Sequence, residues 1–210
     1  MNLYKLMTTF HVIFTLVALV SGLIAIIINP KGGRNHKKSG RYYFYSYVGV
    51  VSTAFFMLTI KFKVFFLALT LFGTYLIIAG NYYAKKDERI VDKNWWILNI
   101  LVLTVFVYAV DVLFVIYNIK YIEYGWIIVR FTFAMIAMAT LIFELTAKRN
   151  RILLHAILML LSYIPLINGM LARLSPDEYV WVFWILGYII FIPLVFWWFK
   201  KSNQLQSLLN

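Results

Sequence analysis

Seven stretches of roughly twenty predominantly apolar residues follow one another along the chain, and they constrain its fold more than any motif does. They are Thr8–Asn29, Tyr42–Ile60, Val64–Tyr83, Trp95–Asn118, Gly125–Ala147, Ile152–Ala172 and Tyr179–Phe199. A helix crossing the hydrocarbon core of a bilayer needs about 20 such residues. The chain is 63 % hydrophobic and 13 % charged, against about 45–50 % and about 25 % for a soluble domain. Water cannot be the solvent for seven such helices, so lipid must be. A transmembrane barrel would instead show alternating segments of about 10 residues. These runs are continuous and twice as long. The expectation is an all-α, polytopic transmembrane helix bundle of seven spans, forming a single integral membrane domain over residues 1–210.

The net charge of +12 would suit a nucleic-acid binder if it lay on one surface. It is instead divided among short loops. Fourteen Lys/Arg lie in Asn29–Arg41, Ala84–Asn94, Lys148–Arg151 and the tail at Lys200 and Lys201. Five lie on the opposite side, namely Lys5, Lys61, Lys63, Lys120 and Arg173, and Arg130 is inside span five. Cytoplasmic loops carry the excess of Lys and Arg. The N-terminus is therefore expected outside and the C-terminus inside, in a cytoplasmic (inner) membrane. The basic loops then face anionic lipid headgroups. Trp95 and Trp96 at the inner end of span four, and Trp126 at the outer end of span five, fit the interfacial aromatic belts. Span one has basic residues after its apolar run rather than before it, and reads as an uncleaved anchor.

Much soluble chemistry is excluded. There is no cysteine, hence no disulfide, thiolate metal site or Cys nucleophile. The glycines of "NPKGGRNHKKSGR" match neither phosphate-binding pattern, and no strand precedes them. No H-E-x-x-H, G-x-S-x-G or CxxC occurs. No catalytic residue, metal site or nucleic-acid partner is assigned, and the balance is against an enzyme.

Several spans carry small or polar residues at the 3,4 spacing of one helix face. They are Thr8, His11, Thr15, Ala18, Gly22 and Ala25; Thr104, Tyr108 and Asp111; Arg130, Ala134, Ala137, Leu141 and Glu144; and His155, Met159, Ser162, Leu166 and Gly169. A charge at the centre of a bilayer costs at least about 2.5–3.5 kcal/mol, so each ionisable residue needs an offsetting partner. Asp111 lies six residues before Tyr117 and Arg130 six after Tyr124, about 9 Å inside the outer interface at 1.5 Å per residue. An Asp111–Arg130 ion pair between adjacent antiparallel spans is expected, with His11 close enough to join this outer cluster. An inner cluster of Glu144 and His155 is expected across the short "LTAKRNR" connection, with His36 in the opening loop on the same side.

Three functions fit these clusters. The first is binding or movement of a small solute or of protons, helped by Pro165 and Pro193 as helix-breaking positions. The second is membrane electron transfer, linked to quinone or to a b-type haem held by His36 and His155; against it, His36 is expected in a loop. The third is a scaffold without chemistry, as a homo-oligomer or beside a partner membrane protein.

The segment "HVIFTLVALVSGLIAIIINPKGGRNHKKSGRYYFYS" carries His11, Gly22, Lys31, Gly32, His36, Gly40, Arg41 and Tyr43. It resembles the start of a family of bacterial membrane proteins catalogued as domain of unknown function 2306. The segments "FFLALTLFGTYLIIAGNYYAKKDER" and "HAILMLLSYIPLINGML" look similar as well. The resemblance implies a multi-pass bacterial membrane protein and no particular activity. It adds weight to His11, His36 and His155.

Overall fold

A computed structural model describes residues 2–28, 32–84, 95–146, 151–174, 179–189 and 193. Among these the chain is all-α. The helices are α1 (Leu3–Ile27), α2 (Arg34–Ile60), α3 (Val64–Tyr83), α4 (Trp95–Tyr117), α5 (Tyr124–Thr146) and α6 (Arg151–Leu174), with a 3-10 turn at Ile119–Tyr121. A short apolar helix, α7, follows at Val180–Ile189. Six of the seven are long and apolar enough to cross a membrane. The described part of α7 is shorter than the roughly 20 residues a span requires. The remainder of the expected seventh span lies outside the described residues, Pro193 apart.

The second span departs from expectation at its inner end. α2 begins at Arg34 rather than Tyr42, so Arg34, His36, Lys37, Lys38 and Arg41 are helical, not in a loop. A helix satisfies its own backbone, and nothing obliges it to stop where the hydrocarbon stops. Long basic side chains then reach headgroup water. The reversal from α1 is made around Gly32, whose φ of 76° is the left-handed conformation that favours glycine. Pro165 does not break α6, which runs through it to Leu174.

α3 is the central helix. It packs on α2, α4 and α6 and touches α5, while α1 packs on α2 and α6, and α4 on α5. Small residues let its neighbours approach. The Tyr47 hydroxyl of α2 lies 2.8 Å from where a Cβ on Gly73 would be, and Met159 of α6 lies 3.3 Å from that of Gly80. The core holds Phe65, Phe72, Tyr75 and Leu76 of α3 with Tyr108 of α4 and Phe133 of α5. Trp184 and Tyr188 of α7 close it.

The outward faces are apolar and open. Val20 and Ile27 of α1 are exposed, as are Phe106 and Leu113 of α4 and Met135 and Leu145 of α5. Hydroxyls meanwhile bond back to their own helix. Thr15 donates to His11 O at 2.8 Å, Thr70 to Phe66 O at 2.7 Å, and Thr104 to Ile100 O at 2.7 Å. This i−4 bonding satisfies a hydroxyl without water, as a lipid environment demands. Six long helices with apolar outsides and self-satisfied hydroxyls make this a multi-pass integral membrane protein in contact with lipid.

Candidate functional site

The outer cluster forms as a pair. Asp111 Oδ1 accepts from Arg130 Nη1 at 3.0 Å, across the α4–α5 hairpin. The tight connection 118–123 sets the two helices antiparallel, and equal spacing from its ends brings the two charges level. The Asp111 side chain is 2 % exposed and that of Arg130 21 %. The guanidinium carbon stands 5.8 Å from the Phe65 ring centre, within the range of a cation–π contact. Around the pair, the Phe133 ring centre is 5.5 Å from that of Phe65, 5.7 Å from Trp184 and 5.0 Å from Tyr188. Phe65 thus ties the pair to an aromatic cluster to which α7 supplies Trp184 and Tyr188. Asp111 Oδ2 and Arg130 Nε have no hydrogen-bond partner among the described residues.

His11 does not join this pair. Its Nδ1 lies 3.1 Å from Val50 O and 2.9 Å from Thr53 Oγ1. α1 packs on α2 and α6, so the polar face of α1 meets α2 rather than α4 or α5.

The inner cluster is brought together differently from expectation. Glu144 accepts from the Tyr83 hydroxyl of α3. The Tyr75 hydroxyl lies close to the same carboxylate without a well-formed hydrogen bond, and Glu144 Oε2 is buried without a hydrogen-bond partner among the described residues. The His155 Nδ1 reaches Gly80 O of α3 at 2.7 Å. The expected direct Glu144–His155 contact is replaced by two contacts to α3, because α3 packs against both α5 and α6 and stands between them. A short connection between consecutive helices does not make them packed neighbours. His36 Nδ1 meets Ala25 O of α1 at 3.0 Å.

The three histidines thus share one device. Each directs Nδ1 at a backbone carbonyl of a neighbouring helix. A carbonyl can only accept, so Nδ1 carries the proton and the lone pair of the neutral ring sits on Nε2. Other polar links follow the same pattern between helices. The Tyr43 hydroxyl of α2 is 2.6 Å from Ser162 Oγ of α6, the Tyr163 hydroxyl donates to Leu19 O of α1 at 2.5 Å, and Asn168 Nδ2 donates to Trp184 O of α7 at 2.7 Å. Among the described residues no group of three or more His, Cys, Asp or Glu is placed to hold a metal ion.

Tyr108 was singled out by the spacing of its face, but Tyr75, Tyr83 and α3 were not. Their signal was available, since Gly73 and Gly80 are seven residues apart on one face and flank Tyr75. Without knowing which apolar helix is central, that face reads as ordinary packing.

No family model, curated protein or solved structure matches this chain. Its class therefore rests on the helices and the buried polar groups alone.

Proposed function

We propose that the protein binds or moves protons or a small polar solute across the membrane, and that Asp111 with Arg130 is the exchange site. One observation carries this reading. A buried ion pair uses only one of the two carboxylate oxygens and leaves Arg130 Nε unpaired among the described residues. A purely structural pair would gain from saturating those groups, because each one left buried and unmet costs about 1–3 kcal/mol. Polar groups kept unsaturated inside the bundle are free to engage a passing proton or ligand.

The proposal includes a topology. One membrane domain spans residues 1–210, α7 continues into a seventh span, and the N-terminus is outside with the C-terminus in the cytosol. The charge distribution supports this arrangement, and the basic first turns of α2 then meet anionic headgroups of an inner membrane. The placement of His11, His36 and His155 as links between helices is compatible with the resemblance to domain of unknown function 2306.

The test is proton flux in proteoliposomes containing a pH-sensitive dye, driven by a potassium diffusion potential. The wild-type protein is expected to acidify or alkalinise the lumen according to the sign of the potential. Asp111→Asn is expected to lower the rate at least about tenfold, as loss of an essential exchange group does. Equal rates in wild type, Asp111→Asn and empty vesicles would remove the proton reading.

A further inference from the structure

Seven buried side-chain atoms have no hydrogen-bond partner among the described residues: Tyr75 Oη, Tyr108 Oη, Asp111 Oδ2, Arg130 Nε, Glu144 Oε2, Asn168 Oδ1 and Tyr188 Oη. They are not scattered. All belong to α3–α7, and none to α1 or α2, where Thr8, Thr15, Ser21, Ser39 and Thr53 all make hydrogen bonds. Two of the seven atoms are the outer ion pair and one is the inner carboxylate. The tyrosines among them, Tyr75, Tyr108 and Tyr188, belong to a single core cluster.

The order along the helices makes a route. Tyr108 precedes Asp111 by three residues on α4, one turn toward the inner side. Thr104 lies one further turn along the same face. It is fully buried, and its hydrogen goes to Ile100 O, which leaves its lone pairs to accept. Tyr75 is on α3, which packs against α4, and its hydroxyl lies close to Glu144. Tyr188 stands beside the upper part of this route, with its ring centre 5.0 Å from that of Phe133.

Each of these atoms left dry and unmet would cost about 1–3 kcal/mol, against the usual 5–15 kcal/mol of a folded protein. A buried water satisfies two to four polar groups. Phe72, Leu101 and Phe133, almost without exposure, belong to the same buried cluster as these tyrosines, so the hydroxyls are screened from bulk solvent.

We propose that single-file internal water joins Asp111 to Glu144 past the hydroxyls of Tyr108, Thr104 and Tyr75, and that the cargo exchanged at Asp111 is the proton. This rests on the reading of Asp111 as an exchange site. The step balances at every stage. Each water or hydroxyl accepts one proton on a lone pair as it releases another, so none is left ionised. One proton enters at one carboxylate as one leaves from the other. The transmembrane potential or pH difference supplies the driving force. Arg130, permanently charged, stands at the outer mouth and opposes entry of metal cations.

The test is X-ray hydroxyl-radical footprinting of the intact protein in lipid nanodiscs, with oxygen-18 water, read by mass spectrometry. Tyr75 and Tyr108 are expected to label nearly as fast as exposed Tyr117 and Tyr124, while Phe72 and Phe133 stay unlabelled. Tyr75 and Tyr108 as inert as Phe72 would overturn the water file. Thermal unfolding gives a second criterion. In a wet file, Tyr75→Phe and Tyr108→Phe leave a water short of a partner, and the midpoint holds or falls. A rise of about 2–4 °C per variant would mean that a dry, costly hydroxyl had been removed, and would overturn the proposal. Labelled tyrosines without proton flux would keep the water file and remove the exchange reading at Asp111. Flux with unlabelled tyrosines would do the reverse.

Discussion

Of the two charges in the outer cluster, only one can be discharged. A carboxylate left without its partner in an apolar enclosure can take up a proton, whereas a guanidinium stays charged at any accessible pH. Truncating the two residues should therefore be unequal in effect. Asp111→Ala leaves the half-buried Arg130 beside Phe65 without its counter-ion. Removing one partner of a buried pair costs about 3–5 kcal/mol, and Asp111→Ala is expected near the lower end because Arg130 retains partial exposure. Arg130→Ala leaves a carboxyl that can neutralise itself, so it is expected to cost less, about 1–2 kcal/mol, close to other polar contacts between membrane helices. Unfolding of the two variants and of the double variant, by steric trapping in bicelles, measures this. Strictly additive losses would show that the pair is not coupled.

Between helices, the close approaches are made at particular glycines, and the structure separates those that matter. A Cβ on Gly22 of α1 would fall 2.7 Å from the Tyr163 ring and 2.8 Å from that of Tyr43. Those rings are held by hydrogen bonds to Leu19 O and to Ser162, so they cannot simply swing away. Gly22→Ala is expected to destabilise by about 1–3 kcal/mol, the usual cost of overpacking. Gly40→Ala and Gly169→Ala meet nothing within 4 Å among the described residues, and should be neutral or stabilising by up to about 1 kcal/mol through helix propensity. Thermal midpoints in one detergent test all three, and a Gly22→Ala midpoint equal to wild type would contradict the packing. The Gly22 face was legible from its 3,4 spacing, as was the Thr104–Tyr108–Asp111 face of α4. Among the described residues nothing lies within 4 Å of a Cβ on Gly169, so no close helix approach is seen there. The centrality of α3 was hidden because lipid and protein interior are equally apolar, so hydrophobicity does not say which helix is enclosed. That same ambiguity concealed α3 between α5 and α6, and with it the true partners of Glu144 and His155. His36 was misplaced for another reason. Its basic neighbours lower the hydropathy of a segment that is nonetheless helical.

At the scale of the whole molecule, the direction of insertion decides the sidedness of the polar groups of α1–α6, and the number of crossings decides the side of the tail. Six spans would put both termini on the same side, and seven put them on opposite sides. The basic residues favour seven, because only then does the tail with Lys200 and Lys201 share a side with the basic first turns of α2. The location of Trp184 and Tyr188 agrees with a helix that enters among the others, since both are buried against α3 and α5 rather than lying along the surface. The complete lack of cysteine makes the question directly measurable. Single substitutions Lys5→Cys, Lys120→Cys and Ser202→Cys need no background removal. In intact cells a membrane-impermeant maleimide is expected to label Lys5→Cys and Lys120→Cys, and to label Ser202→Cys only after lysis. If Ser202→Cys labels in intact cells together with Lys5→Cys, α7 turns back without crossing. If Lys5→Cys and Lys120→Cys are both protected, the bundle is inverted. Asp111 and Arg130 would then open toward the cytosol, and a proton route between Asp111 and Glu144 would run with its ends exchanged.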